Sequence, residues 1–237
     1  MTAVGELVIA STVEPWQAIG LRVDDGVARV GGIALRFVPA ADDGASGGMS
    51  AGVASSGVVS SDVVSAGVVS AGVVSSGVVS WGLVGAPDAL VDDIDGLATH
   101  HLAAPPDGPA DHSLGIVGFD HLVVMTSSLD RTCGAIEAAT GEPLKRVREA
   151  GAIRQGFHRL GELIIEVVES PQVTAGTASF WGFVWNLADL HDACDRLGPE
   201  LVSLPKAAVQ PGRFIASVRS AAGLGLPLAL MTPPSRP

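Results

Sequence analysis

Between Gly118 and Met231 one succession of patterns occurs twice, and few folds can use it. Gly118 to Met125 (GFDHLVVM) has the pattern of a strand. Ser127-Ser128-Leu129-Asp130 reads as a capping box, with a hydroxyl at the N-cap and a carboxylate three residues on. Leu129, Cys133 and Ile136 follow at helical spacing, and Gly141 ends the run. Lys145 to Glu149 and Arg154 to Leu160 are short strand candidates around Gly151, and Glu162 to Glu169 (ELIIEVVE) is a stronger one. The order then returns. Phe180 to Leu187 (FWGFVWNL) is strand-like, with Trp181 and Trp185 expected on one face. Ala188 to Leu197 is a short helix with Leu190, Cys194 and Leu197 on one side. Val209, Arg213 to Arg219 and Leu226 to Met231 supply three further strands. The fold class expected is α+β: tandem βαβββ units whose sheets pair into a half-open barrel around a cupped cavity.

Composition narrows what such a cavity serves. Hydrophobic residues make up 47% of the 237, but aromatics only 4% with no Tyr, so the core must be built from aliphatic side chains. The formal charge of −11 repels phosphate backbones, which argues against nucleic acid as a partner. The basic run Lys145, Arg146, Arg148, Arg154 and Arg159 reads as a solvated strand edge ahead of an anion site. Cys133 and Cys194 have neither a CxxC nor a zinc spacing, and both fall on helical patterns as buried thiols. No apolar stretch reaches the roughly 18 to 20 residues that span a bilayer, and the first residues lack the basic and apolar regions of a leader. These features predict a cytoplasmic chain without a membrane partner. The low charged fraction of 16% leaves apolar surface that a homodimer would cover.

Ahead of the twofold pattern the chain divides by texture into 1–41, a biased tract 42–80 and a segment 81–100, with a Pro-rich linker 101–117 before the domain 118–233. From Ser50 to Val79 the tract repeats every five residues, and Ser80 to Val84 (SWGLV) continues the register with larger side chains. A period of five suits neither a helix nor a plain strand, and the tract is read as a flexible or weakly β-forming insert without chemistry.

Taken in order, FDHLVV, SSLDRT, GELIIEVVES and PLALMTP resemble the first strand, helix start, fourth strand and closing strand of glyoxalase-like domains of the vicinal oxygen chelate superfamily. The resemblance covers about half the chain. The N-terminal part resembles a degenerate partial copy. Gly5 to Ser11 overlays Asp120 to Thr126, Arg29 to Val38 overlays Arg159 to Val168, and Trp81-Gly82-Leu83-Val84 overlays Trp181-Gly182-Phe183-Val184.

In that family four side chains hold a divalent metal (Zn, Ni, Mn or Fe) against two oxygens of the substrate. The resemblance implies His121 and Glu166 as metal ligands or as a catalytic acid/base pair. The matching positions of the second unit fall on Gly182 and Ala229, and those of the N-terminal part on Glu6 and Arg36. His158 and Asn186 are candidate substrate-pocket residues. His121 as a core histidine, paired with a buried Glu166 and no metal, is the bland alternative. Two functions remain open: a lyase, isomerase or dioxygenase acting on a small oxygenated molecule, or a metal-free module that sequesters small molecules such as drugs.

Overall fold

The structure, a computed structural model, describes residues 1–40, 76–86, 92–174 and 176–234. Most of the five-residue tract lies outside the described residues. Its last units do not: Gly77 to Val84 form one strand, which runs across the expected boundary at residue 80.

The described chain runs β1 (Ala3–Ala10), α1 (Glu14–Ala18), β2 (Val27–Val30), β3 (Ile33–Val38), β4 (Gly77–Val84), β5 (Asp93–Ile94) and β6 (Leu97–Leu102). It continues β7 (Ile116–Thr126), α2 (Leu129–Thr140), β8 (Arg146–Ala150), β9 (Ile153–Leu160), β10 (Leu163–Glu169) and β11 (Ser179–Leu187). Last come α3 (Leu190–Leu197), β12 (Lys206–Ala207), β13 (Phe214–Ser217) and β14 (Leu228–Met231). The C-terminal half is therefore two βαβββ units joined in one mixed sheet, ordered β12-β13-β14-β11-β7-β10-β9-β8. The first strand of each unit meets the other antiparallel at the centre, β7 against β11, and each lies parallel to the last strand of its own unit. The sheet does not close, but residues from β8, β9 and the β12–β13 connection line one cavity, so its two wings curve toward each other.

Alternation along the strands sorts the two faces. Leu122 and Val124 of β7, Ile165 and Val167 of β10, and Phe183 and Trp185 of β11 point into the main core, where α2, α3 and the N-terminal sheet cover them. Trp16 of α1 seals that interface, with its ring 6.1 Å from Phe183, 5.9 Å from Trp185 and 5.4 Å from Phe37. His121, Val123 and Met125 point the other way, into the concave face.

Helix α2 starts at Ser128, but no hydroxyl caps it. The carboxylate of Glu169, at the end of β10, accepts the Leu129 amide at 2.6 Å. The expected capping box is thus replaced by a cap from a neighbouring strand, which ties the helix to the sheet it covers. In α3 Asp189 caps its own helix through the Asp192 amide.

The N-terminal sheet has the order β2-β3-β1-β4-β6-β5, the arrangement of β9-β10-β7-β11-β14-β13 in the C-terminal sheet. The directions agree as well: β1 is parallel to β3 and antiparallel to β4, and β4 is parallel to β6. Two of the irregularities match, though the β7–β11 ladder has a third slip, at Val117. The β1–β4 ladder skips one residue at Gly5 and one at Val79. The β7–β11 ladder does so at Asp120 and Trp181. Register therefore aligns Glu6 with His121 and Arg36 with Glu166, as the sequence overlay has them. It aligns Trp81 with Phe183, two residues away from the overlay on Trp181. The linker is packed in place: the Arg29 amide bonds Pro109, Arg22 pairs with Asp111, and Leu114 is buried.

Candidate functional site

A cavity of about 570 Å³ occupies the concave face of the C-terminal sheet. At its base two strands present His121 and Glu166. In the parallel β7–β10 pair Val123 lies beside Glu166, so His121 is two residues along β7 on the same face. The His121 Nε2 atom stands 3.3 Å from Glu166 Oε2. The angle is too poor for a hydrogen bond, and Nε2 is buried without a partner. The sequence pair is thus brought together, with an unsatisfied nitrogen beside a carboxyl.

A bulge arranges the rest. Between the pairs His121–Val184 and Phe119–Trp185 the ladder advances two residues on β7 and one on β11. Asp120 is the extra residue, and the bulge lets its side chain share a side with that of His121. Asp120 Oδ1 accepts from His121 Nδ1 at 2.8 Å, which orients the ring and leaves Nε2 toward the cavity. Asp120 Oδ2 accepts from Arg213 at 2.6 Å, and Arg213 also donates to Asn186 Oδ1 at 2.7 Å. On the other side Gln155 of β9 donates to Glu166 Oε1 at 2.6 Å, and its own Oε1 is buried and unpartnered.

The two carboxyls at this base are driven apart. Burial alone would raise the Asp120 carboxyl, but its bonds to His121 and Arg213 outweigh it and hold the group at about 2. Burial dominates at Glu166 and pushes its carboxyl above the ordinary range, against the opposing pull of His121 and the Gln155 bond. One carboxyl is a fixed anion, and the other is tuned toward carrying a proton.

Of the candidate pocket residues, Asn186 stands behind the pair, supporting Arg213 and donating to the Phe119 carbonyl. His158 borders the same cavity but turns its ring away from the pair. It pairs with Ile165, so its ring lies on the opposite face of β9 from Glu166. It is 1% exposed, its Nδ1 donates to the Glu142 carbonyl at 3.1 Å, and burial lowers its pKa, so it is a neutral core histidine.

The second unit's positions also shift. Val184, and not Gly182, lies opposite His121, with Ala229 beside it. Val184 and Ala229 sit in an apolar cluster with Ile215 and Met231. Gly182 is glycine for another reason: a Cβ there would sit on the Pro227 carbonyl. The bulge at Trp181 also separates the two tryptophans. Trp181 lies with Val123 and Met125, whereas Trp185 is in the main core.

In the N-terminal sheet the register partners of this site form a closed triad. Arg36 donates to Glu6 Oε1 at 2.8 Å, and His100 lies 2.9 Å from Oε2 of the same carboxylate.

Sequence reasoning passed over Asp120, Arg213 and Gln155. Asp120 had one signal, its place before His121; nothing marks the other two.

No family model and no curated protein matches this sequence. Among solved structures, methylmalonyl-CoA epimerase from Mycobacterium tuberculosis is similar at 16% identity and a TM-score of 0.42, covering 51% of this chain and 91% of its own. A hypothetical protein from Bacillus halodurans matches at 13% and 0.42, covering 50% of this chain and 96% of its own. A Streptomyces coelicolor methylmalonyl-CoA epimerase variant in complex with 2-nitronate-propionyl-CoA matches at 18% and 0.40, covering 49% and 97%. Each likeness covers about half of this chain. The paired βαβββ topology is the one that the resemblance to vicinal oxygen chelate proteins implies. At these values the likeness assigns no activity, and the topology stands on the strand registers described above.

Proposed function

We propose that the C-terminal cup binds a small oxygenated molecule and moves a proton on it, with Glu166 and His121 as the acid/base pair. The supporting observation is the unpartnered His121 Nε2, 3.3 Å from a carboxyl raised by burial, at the base of a cavity. A carboxyl raised above its usual range takes and returns protons nearer neutral pH than an exposed one does. A proton on carbon beside a carbonyl is the kind it would move, in an isomerase or a lyase. Asp120, held ionised by Arg213, fixes the His121 ring so that only Nε2 faces the reacting atoms.

The resemblance also implies a divalent metal, and the residues present meet that expectation in part. Nε2 and Glu166 have the chemistry of two ligands, with Asp120 as the carboxylate that orients a metal-bound histidine. A catalytic ion generally takes three protein ligands. The other two positions are Val184 and Ala229, and among the described residues no group of three His, Cys, Asp or Glu could hold an ion. The donor set does not fit a resident metal, and the proton transfer is derived from side chains alone.

The experiment follows exchange of carbon-bound hydrogen in D2O by NMR, over a panel of charged and neutral 2-oxo and 3-oxo compounds. Exchange by the wild type that Glu166→Gln and His121→Ala both abolish is the expected result. Lack of exchange with every compound, or exchange that survives Glu166→Gln, overturns the reading. Calorimetric titration with Zn, Ni, Mn and Fe salts covers the metal. Stoichiometric binding that His121→Ala removes would replace the side-chain mechanism with a metal-assisted one.

The metal-free binding module is the second reading, favoured by the apolar cluster at Val184 and Ala229. It predicts ligand-induced thermal shifts without exchange.

A further inference from the structure

The cavity above the His121–Glu166 pair has one wall of a different chemistry from the other. Arg146 and Arg148 of β8 pair with Phe157 and Gln155 of β9, and Arg159 follows Phe157 at the next position of the same face. Strand alternation therefore puts all three guanidinium groups on the concave side with Glu166. Lys145, just before β8, joins them at the cavity wall. The facing wall, from the second unit, is uncharged and is formed by Val209, Gln210, Pro211 and Met231.

These cations differ from most of the other described arginines, which are ion-paired. The protein carries 25 acidic residues to 14 basic ones, so a basic side chain has an abundance of partners. Arg154, in the same stretch but facing the helix, uses them: it lies within 4.0 Å of Asp130, Glu149 and Glu169. Arg213 is held by Asp120. Among the described residues Lys145, Arg146, Arg148 and Arg159 make no ion pair, and Arg146 rests its guanidinium 5.3 Å over the Phe157 ring. Among the described residues the only carboxyls lining the cavity are Asp120 and Glu166. The first is already neutralised by Arg213, and the second sits below the cations at the base. A concave wall with four unpaired cations over a low-dielectric base concentrates positive potential within an acidic protein. Guanidinium groups bind carboxylate and phosphate oxygens through two parallel bonds, so such a wall selects anions by geometry as well as charge.

We propose that the ligand of this cavity is a small anion, whose carboxylate or phosphate is held at the wall by Arg148 and Arg159 while its uncharged end reaches the His121–Glu166 pair. Only the placement of the uncharged end rests on the reading of that pair as the reacting groups. The anion site itself stands on the cations. Arg148 and Arg159 are specificity-determining residues here, since they set which molecules enter without touching the transferred proton.

The experiment is calorimetric titration of the full chain with four probes: succinate and its dimethyl ester, glycerol phosphate and glycerol. At low salt the anions are expected to bind and the neutral partners not to. Arg148→Gln combined with Arg159→Gln should weaken the anions at least tenfold, while Arg22→Gln, a cation far from the cavity, should leave them unchanged. Melting temperatures of all variants establish that the fold is kept. Comparing succinate with glycerol phosphate tells a carboxylate site from a phosphate site. Equal binding of charged and neutral probes, undiminished binding in the double variant, or no binding of either anion up to millimolar concentration overturns the proposal. His121→Ala separates the two readings. If anions still bind it and the wild type exchanges no protons, the anion site stands and the proton-transfer reading fails. If exchange proceeds on neutral compounds with no preference for anions, the reverse holds.

Discussion

His121 Nε2 and Glu166 Oε2 approach to 3.3 Å from adjacent parallel strands, in a geometry that leaves the buried nitrogen without a hydrogen bond. Each has its other side occupied, His121 by Asp120 and Glu166 by Gln155. A buried pair left open toward a cavity costs stability in the resting protein, and that cost is measurable.

Glu166 should destabilise the fold as pH rises. Its folded pKa is raised by burial above the 4.5 of the free side chain, so the folded state holds its proton longer than the unfolded state does. Below about 4.5 the two states bind that proton alike. Above it, stability falls by up to about 1.4 kcal/mol per pH unit until the folded value is reached. Glu166→Gln keeps the shape and removes the titration. Its melting temperature should equal the wild type's near pH 4 and exceed it at pH 8. A wild type that melts higher at both would refute the assignment.

Asp120 works with the opposite sign. Its folded value of about 2 lies below the 3.8 of the free side chain, so its ionised form stabilises the fold above pH 3.8 and loses that effect as pH falls toward 2. The difference corresponds to about 2 kcal/mol. Asp120→Asn should cost that much or more at pH 7, because it also strips the buried Arg213 of its carboxylate. Urea unfolding at pH 7 and at pH 3 checks it: the deficit of the variant should shrink at the lower pH.

Two glycines should respond in opposite directions. A methyl group at Gly182 meets the backbone carbonyl of Pro227, which cannot step aside without breaking the β11–β14 edge. Gly182→Ala should cost about 2–3 kcal/mol. Gly134 is exposed in the middle of α2 with open space around it. Gly134→Ala should stabilise the helix by about 0.5–1 kcal/mol. Denaturant midpoints of the two variants decide.

The twofold strand-helix-strand-strand-strand order was legible because burial writes periodicity into each element. Leu129, Cys133 and Ile136 mark α2 from spacing alone, and ELIIEVVE marks β10. What escaped were the single-residue slips. A bulge reverses which face a residue occupies and leaves no trace in composition. Hence Trp181 and Trp185 looked like neighbours on one face, Gly182 stood in for Val184 opposite His121, and Asp120 was not placed beside His121. The α2 cap failed differently: a local hydroxyl is visible in sequence, whereas the Glu169 carboxylate that replaces it lies forty residues away. The basic run is largely exposed along the sheet edge, as a solvated edge would be, but alternation splits it, sending Arg154 to the helix side and Arg146, Arg148 and Arg159 to the cavity side.

The matching registers of the two sheets have a consequence for how each half tolerates change. At the same lattice point one half has Glu6 gripped by Arg36 and His100, and the other has His121 facing Glu166 across a gap. The first is a closed pairing, in which both oxygens of the Glu6 carboxylate are already engaged. Loss of Glu6 should therefore be felt within the N-terminal sheet that it ties together, whereas the open pair can be remodelled without breaking an existing hydrogen bond between its two members.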